Sequence, residues 1–345
     1  GAITLSGDFD IYAHTYPQID IGIFATTGIQ EIGRHSIELS GLQPNTTYYY
    51  QVGSASFDYW SPVYKMNTAP DTDTPFELLV MADAQGYTQK AYDRVHQVLG
   101  DIDGVFENGF AFTMSMGDDV DNARNIYHYR YLLDTNPEFW ANTTQVVSVG
   151  NHEDYYFEVP EDFTPSSQDV VTDLYNYHLL HYNPPYNPTG QNLQTGAYYS
   201  FDYSGVHFVV LNTNDIDQDE KMSQAQIDWL ENDLENNDKE HVVVVMHKGL
   251  YTAGSHAFDA DVINMREQLP PIFEEYGVNL VFGGHDHTYT LSYYLDGEGN
   301  PIEGVKHDFE DGRLKIGNEG TLYVTMSTIG DKYYQWKESD DVDIF

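Results

Sequence analysis

Two hydrophobic periods follow one another along the chain. Up to about residue 70 the apolar positions come in short runs, as at 19–24 and 36–39, broken by Gly, Asn and Pro with no helical spacing. That pattern predicts a small all-β domain over residues 1–70. Its most informative stretch is SGLQPNTTYYYQVGS (40–54), where a Leu precedes a Pro-Asn-Thr turn and a Tyr-rich strand runs into a Gly-Ser turn. TAPDTDTP (68–75) has the composition of a linker, so a second domain is expected over 75–345.

From Phe76 onward, apolar runs of strand length alternate with helical periods, the pattern of an α/β fold. FELLVMADAQ, FAFTMSMGDDVDN, QVVSVGNHE, HVVVVMH, VNLVFGGHDHTYT and GTLYVTMSTIG each read as a strand, and GAYYSFDYSGVHFVVLNTN as a hairpin turning at 203–205. Helices are expected at 88–99, 125–133, 223–234 and 260–276. The third has a capping start, Ser223 followed three residues later by Gln226, with Ile227, Leu230 and Leu234 on one face. Pro270-Pro271 is expected to break or kink the fourth. Residues 155–194 are rich in Tyr, Pro and Asn without a period, and predict an insertion over the strand ends, where a lid or specificity loop lies. The fragment 40–54 is similar to the E–F corner of a fibronectin type III sandwich.

Composition narrows the partners. With 55 acidic against 15 basic residues the net charge is −40, which argues against nucleic acid and against anionic membrane surfaces, since both need clustered Lys and Arg. Dense carboxylates bind water and hydrated cations and are screened at high ionic strength, so a salt-rich source is the expected cause, and additional Ca²⁺ on the acidic surface is compatible with it. The chain has no cysteine, which excludes disulfides and thiolate metal sites. No apolar run approaches the ~20 residues of a membrane span. A start at Gly1 without an initiator Met or signal peptide leads to the expectation of a processed, secreted or periplasmic protein, to which 29 tyrosines and no cysteine are suited. The sequence assigns no oligomeric state.

Chemistry gathers at the strand ends. Five of them deliver Asp83 with Gln85, Asp118, Asn151 with His152, His247, and His285 with His287. One carboxylate after a strand is ordinarily a helix cap, and one histidine there is ordinarily structural; repetition gives the set its weight. Carboxylate and imidazole without thiolate is a ligand set for Zn, Fe or Mn. Six or more oxygen and nitrogen donors exceed the needs of one four-coordinate ion and point to two.

The blocks DAQ (83–85), GDDVD (117–121), GNHE (150–153), VVMH (244–247) and GHDH (284–287) resemble, in order and type, those of the calcineurin-like metallophosphoesterases. Within that family the chain is most similar to purple acid phosphatases, which also carry a fibronectin-like N-terminal domain. The resemblance implies a metallophosphoesterase β-sandwich flanked by helices and hydrolysis of a small phosphate ester. It implies that Asp118 bridges two metals, that Asp83 and His287 bind the first, and that Asn151, His247 and His285 bind the second. It makes His152 the proton donor to the leaving oxygen, with Glu153 orienting it, and His256 a contact to substrate. Arg124 is a candidate phosphate clamp.

Two positions depart from the purple pattern. Asp121 stands where those enzymes have the tyrosine that gives the colour, and Gln85 where they have glycine. The first metal is therefore expected to take Gln85 or Asp121 in place of Tyr, with no tyrosinate charge-transfer band. The same core also serves phosphodiesterases and nucleotidases, and an extracellular scaffold with an inactive phosphatase fold is the reading from outside enzymes.

Overall fold

The computed structural model describes residues 8–15, 29–36, 39–54, 58–103, 109–123, 126–154 and 197–336. The chain divides into two units, Gly1–Gln43 and Pro44–Phe345. In the first, β1 (Asp8–Thr15) pairs antiparallel with β2 (Ile29–Ser36), Asp8 opposite Ser36 and Thr15 opposite Ile29. The strand expected at 19–24 and the insertion expected at 155–194 lie outside the described residues.

The second unit begins with the Tyr-rich β3 (Thr47–Tyr50), followed by β4 (Gly53–Ser54), β5 (Tyr59–Trp60) and β6 (Tyr64–Asn67), joined as β3–β6 and β4–β5 pairs. The Tyr50 hydroxyl donates to Ala141 O at 2.5 Å, and Lys65 N donates to Asn142 Oδ1 at 2.8 Å.

Two sheets follow. β7 (Leu79–Met81), β8 (Thr113–Ser115) and β9 (Gln145–Val147) form a small parallel sheet, with Leu79 beside Thr113 and Thr113 beside Gln145. The larger sheet contains β10 (Tyr199–Tyr203), β11 (Val206–Val210), β12 (His241–Lys248), β13 (Leu280–Gly284), β14 (Thr290–Leu295) and β17 (Thr321–Thr325), in the order β10-β11-β12-β13-β17-β14. Its inner strands are parallel and its edge strands antiparallel. The Val-rich runs of β11 and β12 suit strands covered on both faces.

Three layers of apolar side chains hold the sheets and helices together. Between the sheets, Phe112, Met114 and Val146 pack on Phe208, Val210 and Val245. Outside the large sheet lie α4 (Gln224–Glu235) and α5 (Ala260–Glu275), which place Leu230, Leu234, Met265, Leu269 and Phe273 on Val244 and Met246. Outside the small sheet, α1 (Asp93–Asp103), α2 (Ile126–Thr135) and α3 (Pro137–Asn142) bring Val95, Leu99, Leu132 and Trp140 onto Met81. This is the α/β fold that the alternating pattern predicted, in the sandwich flanked by helices that the resemblance implied.

Ser223 caps α4 as expected, accepting Gln226 N–H at 3.3 Å. The expected break at Pro270-Pro271 is absent, since α5 runs through both prolines. An interior proline costs about 3 kcal/mol through its missing N–H and ring clash. Burial of Val262, Met265, Leu269 and Phe273 on one face offsets that loss at ~1.5–3 kcal/mol per side chain. Not foreseen were α3, β14 and the polar hairpin β15 (Asp308–Glu310) and β16 (Arg313–Lys315), whose Asp311 and Gly312 adopt φ 52° and 76°. Charge-rich hairpins lack the apolar alternation that marks a strand.

Candidate metal centre

The chain turns sharply as it leaves β7, β8 and β13. Asp83, Asp118, His285 and His287 all have left-handed backbone, with φ of 54°, 53°, 72° and 51°. They are four of the nine non-glycine residues with positive φ among the described residues. Such a conformation costs an L-residue roughly 1–2 kcal/mol, and its concentration at one place marks a functional constraint. Gly150 belongs to the same geometry, because a Cβ there would collide with Asp118 N and Oδ1.

Asp118, His247 and His285 present ligand atoms all within 4.8 Å of one another. His247 is fully buried and its Nδ1 lies 2.8 Å from Met116 O, an atom that only accepts, so Nδ1 carries the hydrogen. The Nε2 lone pair of the neutral ring then faces Asn151 Oδ1 at 2.9 Å and Asp118 Oδ2 at 3.3 Å. With the Asn151 amide in this orientation three acceptors converge, and a second proton on the ring or a cation among them satisfies all three. Burial pushes His247 down, but the Asp118 carboxylate outweighs it and raises the imidazole to about 9. His285 moves the opposite way: burial, then the charge of His247, hold it well below its usual value and leave its ring free to ligate.

The second group is built alike. The backbone N–H of His285 donates to both oxygens of Asp83 at 3.1 Å. His287 gives its Nδ1 hydrogen to Lys332 O, which turns the Nε2 lone pair to Asp83 Oδ1 at 3.5 Å and to the Gln85 amide nitrogen at 2.9 Å. Burial pushes His287 down to about 4, so it is neutral at physiological pH. Gln85 Oε1 is buried without a hydrogen-bond partner among the described residues. Rotation of the amide exchanges its oxygen and nitrogen and offers that oxygen to the same space.

The Asp118–His247–His285 group fits a cation. Among the described residues no Lys or Arg forms an ion pair with Asp83 or Asp118, although both are almost fully buried. Burial pushes Asp83 well up, with the charge of Asp118 adding to it. For Asp118 the imidazoles of His247, His152 and His285 overcome burial and hold the carboxyl low. A cation among these carboxylates would take the place of the proton that His247 otherwise holds, and the neutral rings of His285 and His287 could ligate it.

His152 stands at the rim. Its N–H donates to Asp118 Oδ1 at 2.8 Å, its Nδ1 lies 2.7 Å from Asp121 O, and its Nε2 is 3.9 Å from Asp118 Oδ2. Glu153, expected to orient that ring, is turned onto backbone. Its Oε2 accepts from Asp118 N and Gly150 N at 2.8 Å and its Oε1 from Val120 N at 3.3 Å, so it holds the bend that presents Asp118. The N–H donors favour its ionised form, but burial followed by the charges of Asp118 and Asp119 pushes the carboxyl well up. Asp119 accepts from Ser115 Oγ at 2.5 Å. Asp121 faces His152 at 3.8 Å and the Tyr87 hydroxyl, and falls outside the Asp118–His247–His285 group.

His256 does reach the site: its ring centroid is 4.1 Å from that of His285, and its Nδ1 is 2.7 Å from Asp259 Oδ2. The aspartate of GHDH explains why. Asp286 Oδ1 accepts His256 N–H at 2.9 Å, and Gly254 leaves room that a Cβ would take from Asp286. Arg124 lies outside the described residues. The structure also brings in Lys332 and Tyr334, which follow β17 and were not anticipated. The clue was that TMSTIGDK also runs from strand to glycine to charge.

Residues 76–289 match the family model for calcineurin-like phosphoesterase, and residues 11–68 match that for the purple acid phosphatase N-terminal domain. Purple acid phosphatase 23 of Arabidopsis thaliana is 26% identical over 347 residues, which cover 88% of this chain and 69% of the relative. Acid phosphatase type 7 of Mus musculus is 24% identical, covering 83% and 62%. Against several plant relatives the chain spans little more than half, 53% of purple acid phosphatase 15 and 52% of purple acid phosphatase 22. Purple acid phosphatase PPD1 from yellow lupin seeds has the same fold, with a TM-score of 0.67 at 17% identity over 88% of this chain and 54% of the other.

Proposed function

Since the chain belongs to the calcineurin-like phosphoesterase family, we propose that it is a dinuclear metal-dependent hydrolase of phosphate monoesters. The observation that carries this reading is the convergence of acceptor atoms from Asp118, Asn151 and His247 in a buried pocket without a Lys or Arg ion pair among the described residues. Asp118 would be shared, Asp83 and His287 with Gln85 would hold the first ion, and Asn151, His247 and His285 the second. When bound, such a pair supplies Lewis acidity that activates water and neutralises phosphoryl charge.

The chain's own residues do the rest. Met116 O and Lys332 O lock the tautomers of His247 and His287, so that neither ring drifts from the pocket. His152, its Nδ1–H anchored on Asp121 O, would carry its transferable proton on Nε2 and give it to the leaving oxygen. His256, anchored on Asp259 through Nδ1, would present Nε2 to the substrate. Asp121 would take its place beside His152 and not as a metal ligand.

The reading favours Zn, Mn or Fe without a tyrosinate band, in a protein active outside the cytoplasm; among the described residues no helix is long and apolar enough to cross a membrane. The test is metal analysis of protein purified without chelator, together with rates on p-nitrophenyl phosphate and bis-p-nitrophenyl phosphate. We expect about two transition metals per chain and preference for the monoester. Preference for the diester would turn the reading to the phosphodiesterase alternative, and fewer than one metal with no turnover would turn it to the scaffold.

A further inference from the structure

Lys332 is tied to the site through both its backbone and its side chain. The carbonyl accepts the Nδ1 hydrogen of His287. The ammonium lies 5.6 Å from the centroid of the Tyr334 ring and acts through its charge on Asp121 and Asp118. Tyr334 in turn stacks on His287, with centroids 4.4 Å apart and 23° between planes, and lies 6.3 Å from His256. The segment leading to Lys332 is itself anchored. Ser327 Oγ donates to His287 O at 3.1 Å, Thr328 Oγ1 to Asp83 O at 2.6 Å, and Ile329 N to Ala82 O at 3.0 Å. A lysine delivered this way has a fixed origin, unlike one on a surface loop.

Among the described residues, the other cations near these strand ends are already engaged. Lys248 pairs with Asp261 at 2.5 Å, and the Arg266 guanidinium donates to Leu250 O and Ala257 O at 2.7 Å. Lys332 has no carboxylate at ion-pair distance among the described residues. A half-buried ammonium without a carboxylate partner, in a chain of net charge −40, is exceptional. Its position at the rim of an anion-accepting site leaves it an incoming anion as partner.

We propose that Lys332 binds the phosphoryl group of the substrate, and that Tyr334 is the positioning residue that holds the ammonium over the site. The inference rests on the phosphatase reading above and names its ligand class, phosphate monoester dianions and the inorganic phosphate they release. A point charge attracts a dianion more strongly than the monoanion of a diester, so Lys332 would also set the preference between them.

The test compares wild type with K332Q, K332R and Y334F. Each substitution of Lys332 keeps the backbone carbonyl, so His287 retains its tautomer. K315Q, which removes a surface lysine paired with Glu310 at 2.5 Å, controls for the loss of one positive charge. For K332Q we expect KM for p-nitrophenyl phosphate and Kd for inorganic phosphate, measured by calorimetry, to rise about tenfold or more. The ratio of monoester to diester turnover should fall. K332R should restore much of the phosphate affinity, Y334F should shift the same quantities by less, and K315Q should shift none. If K332Q, folded by circular dichroism, stays within about twofold of wild type in phosphate affinity and in that ratio, the inference is overturned while the phosphatase reading stands. If wild type hydrolyses no ester but binds phosphate in a manner that K332Q weakens, the phosphatase reading falls and the Lys332 site is supported. If K332Q does not fold, K332R and Y334F decide: unchanged affinity in Y334F together with loss in K332R would overturn the proposed arrangement.

Discussion

Replacement of Glu153 separates a structural carboxylate from a catalytic one. The residue is 1% exposed, and its oxygens take three backbone N–H groups, those of Asp118 and Gly150 at 2.8 Å on Oε2 and that of Val120 at 3.3 Å on Oε1. Glu153→Ala strands all of them out of water. Each buried unpaired donor costs about 1–3 kcal/mol, and the long Val120 bond contributes least, so the loss should be about 3–6 kcal/mol. Glu153→Gln is a milder change. Its carbonyl oxygen keeps the pair on Asp118 and Gly150, and its amide nitrogen faces only the Val120 N–H, a mismatch of about 1–2 kcal/mol. Urea unfolding of both variants at one pH, with unchanged m-values, reads these differences as shifts of the midpoint. An Ala variant within about 1 kcal/mol of wild type would refute the role in holding the bend. Equal losses for Gln and Ala would show that charge, and not the hydrogen bonds, is what matters.

Gly150→Ala should leave the far-UV spectrum intact but lower the metal content, because its Cβ must displace Asp118 N and Oδ1; metal analysis after dialysis checks this. Phe112→Ala removes a buried ring whose centroid lies 5.1 Å from Tyr203 and 5.4 Å from Phe208 between the two sheets, and should cost about 3–5 kcal/mol in chemical unfolding. His207 bridges Asp202 at 2.7 Å and Asp233 at 2.9 Å; burial lowers its pKa, but the two carboxylates outweigh burial and raise it. Its contribution is therefore fully present below about pH 6.5 and lost as pH rises through the higher folded value. His207→Gln should flatten the fall in urea midpoint over that interval, and an unchanged slope would show that the bridge carries no linkage. Asp118→Asn should abolish hydrolysis and lower metal content together, and retained turnover would contradict its shared role.

Local pattern determined much of this protein. The change of period near Phe76 marked where strands and helices begin to alternate, the apolar runs marked strands of both sheets, and Ser223 marked the start of α4, because each depends on neighbours a few residues apart. The same is true of the donors at the strand ends. Strands that run in parallel bring their carboxyl ends to one side, so a ligand set was legible from five short blocks. Tertiary structure decided what those residues do to one another. Asn151 meets His247 across 96 positions of chain and Gln85 meets His287 across 202, and no local period carries that information. Glu153 reads as a partner for its neighbour His152, yet backbone N–H groups freed by the left-handed turn at Asp118 claim its carboxylate. α5 continues through Pro270-Pro271 because burial of its face outweighs two missing donors. Lys332 carries no motif of its own, and only the packing of the segment after β17 against Asp83 and His287 brings its charge to the site.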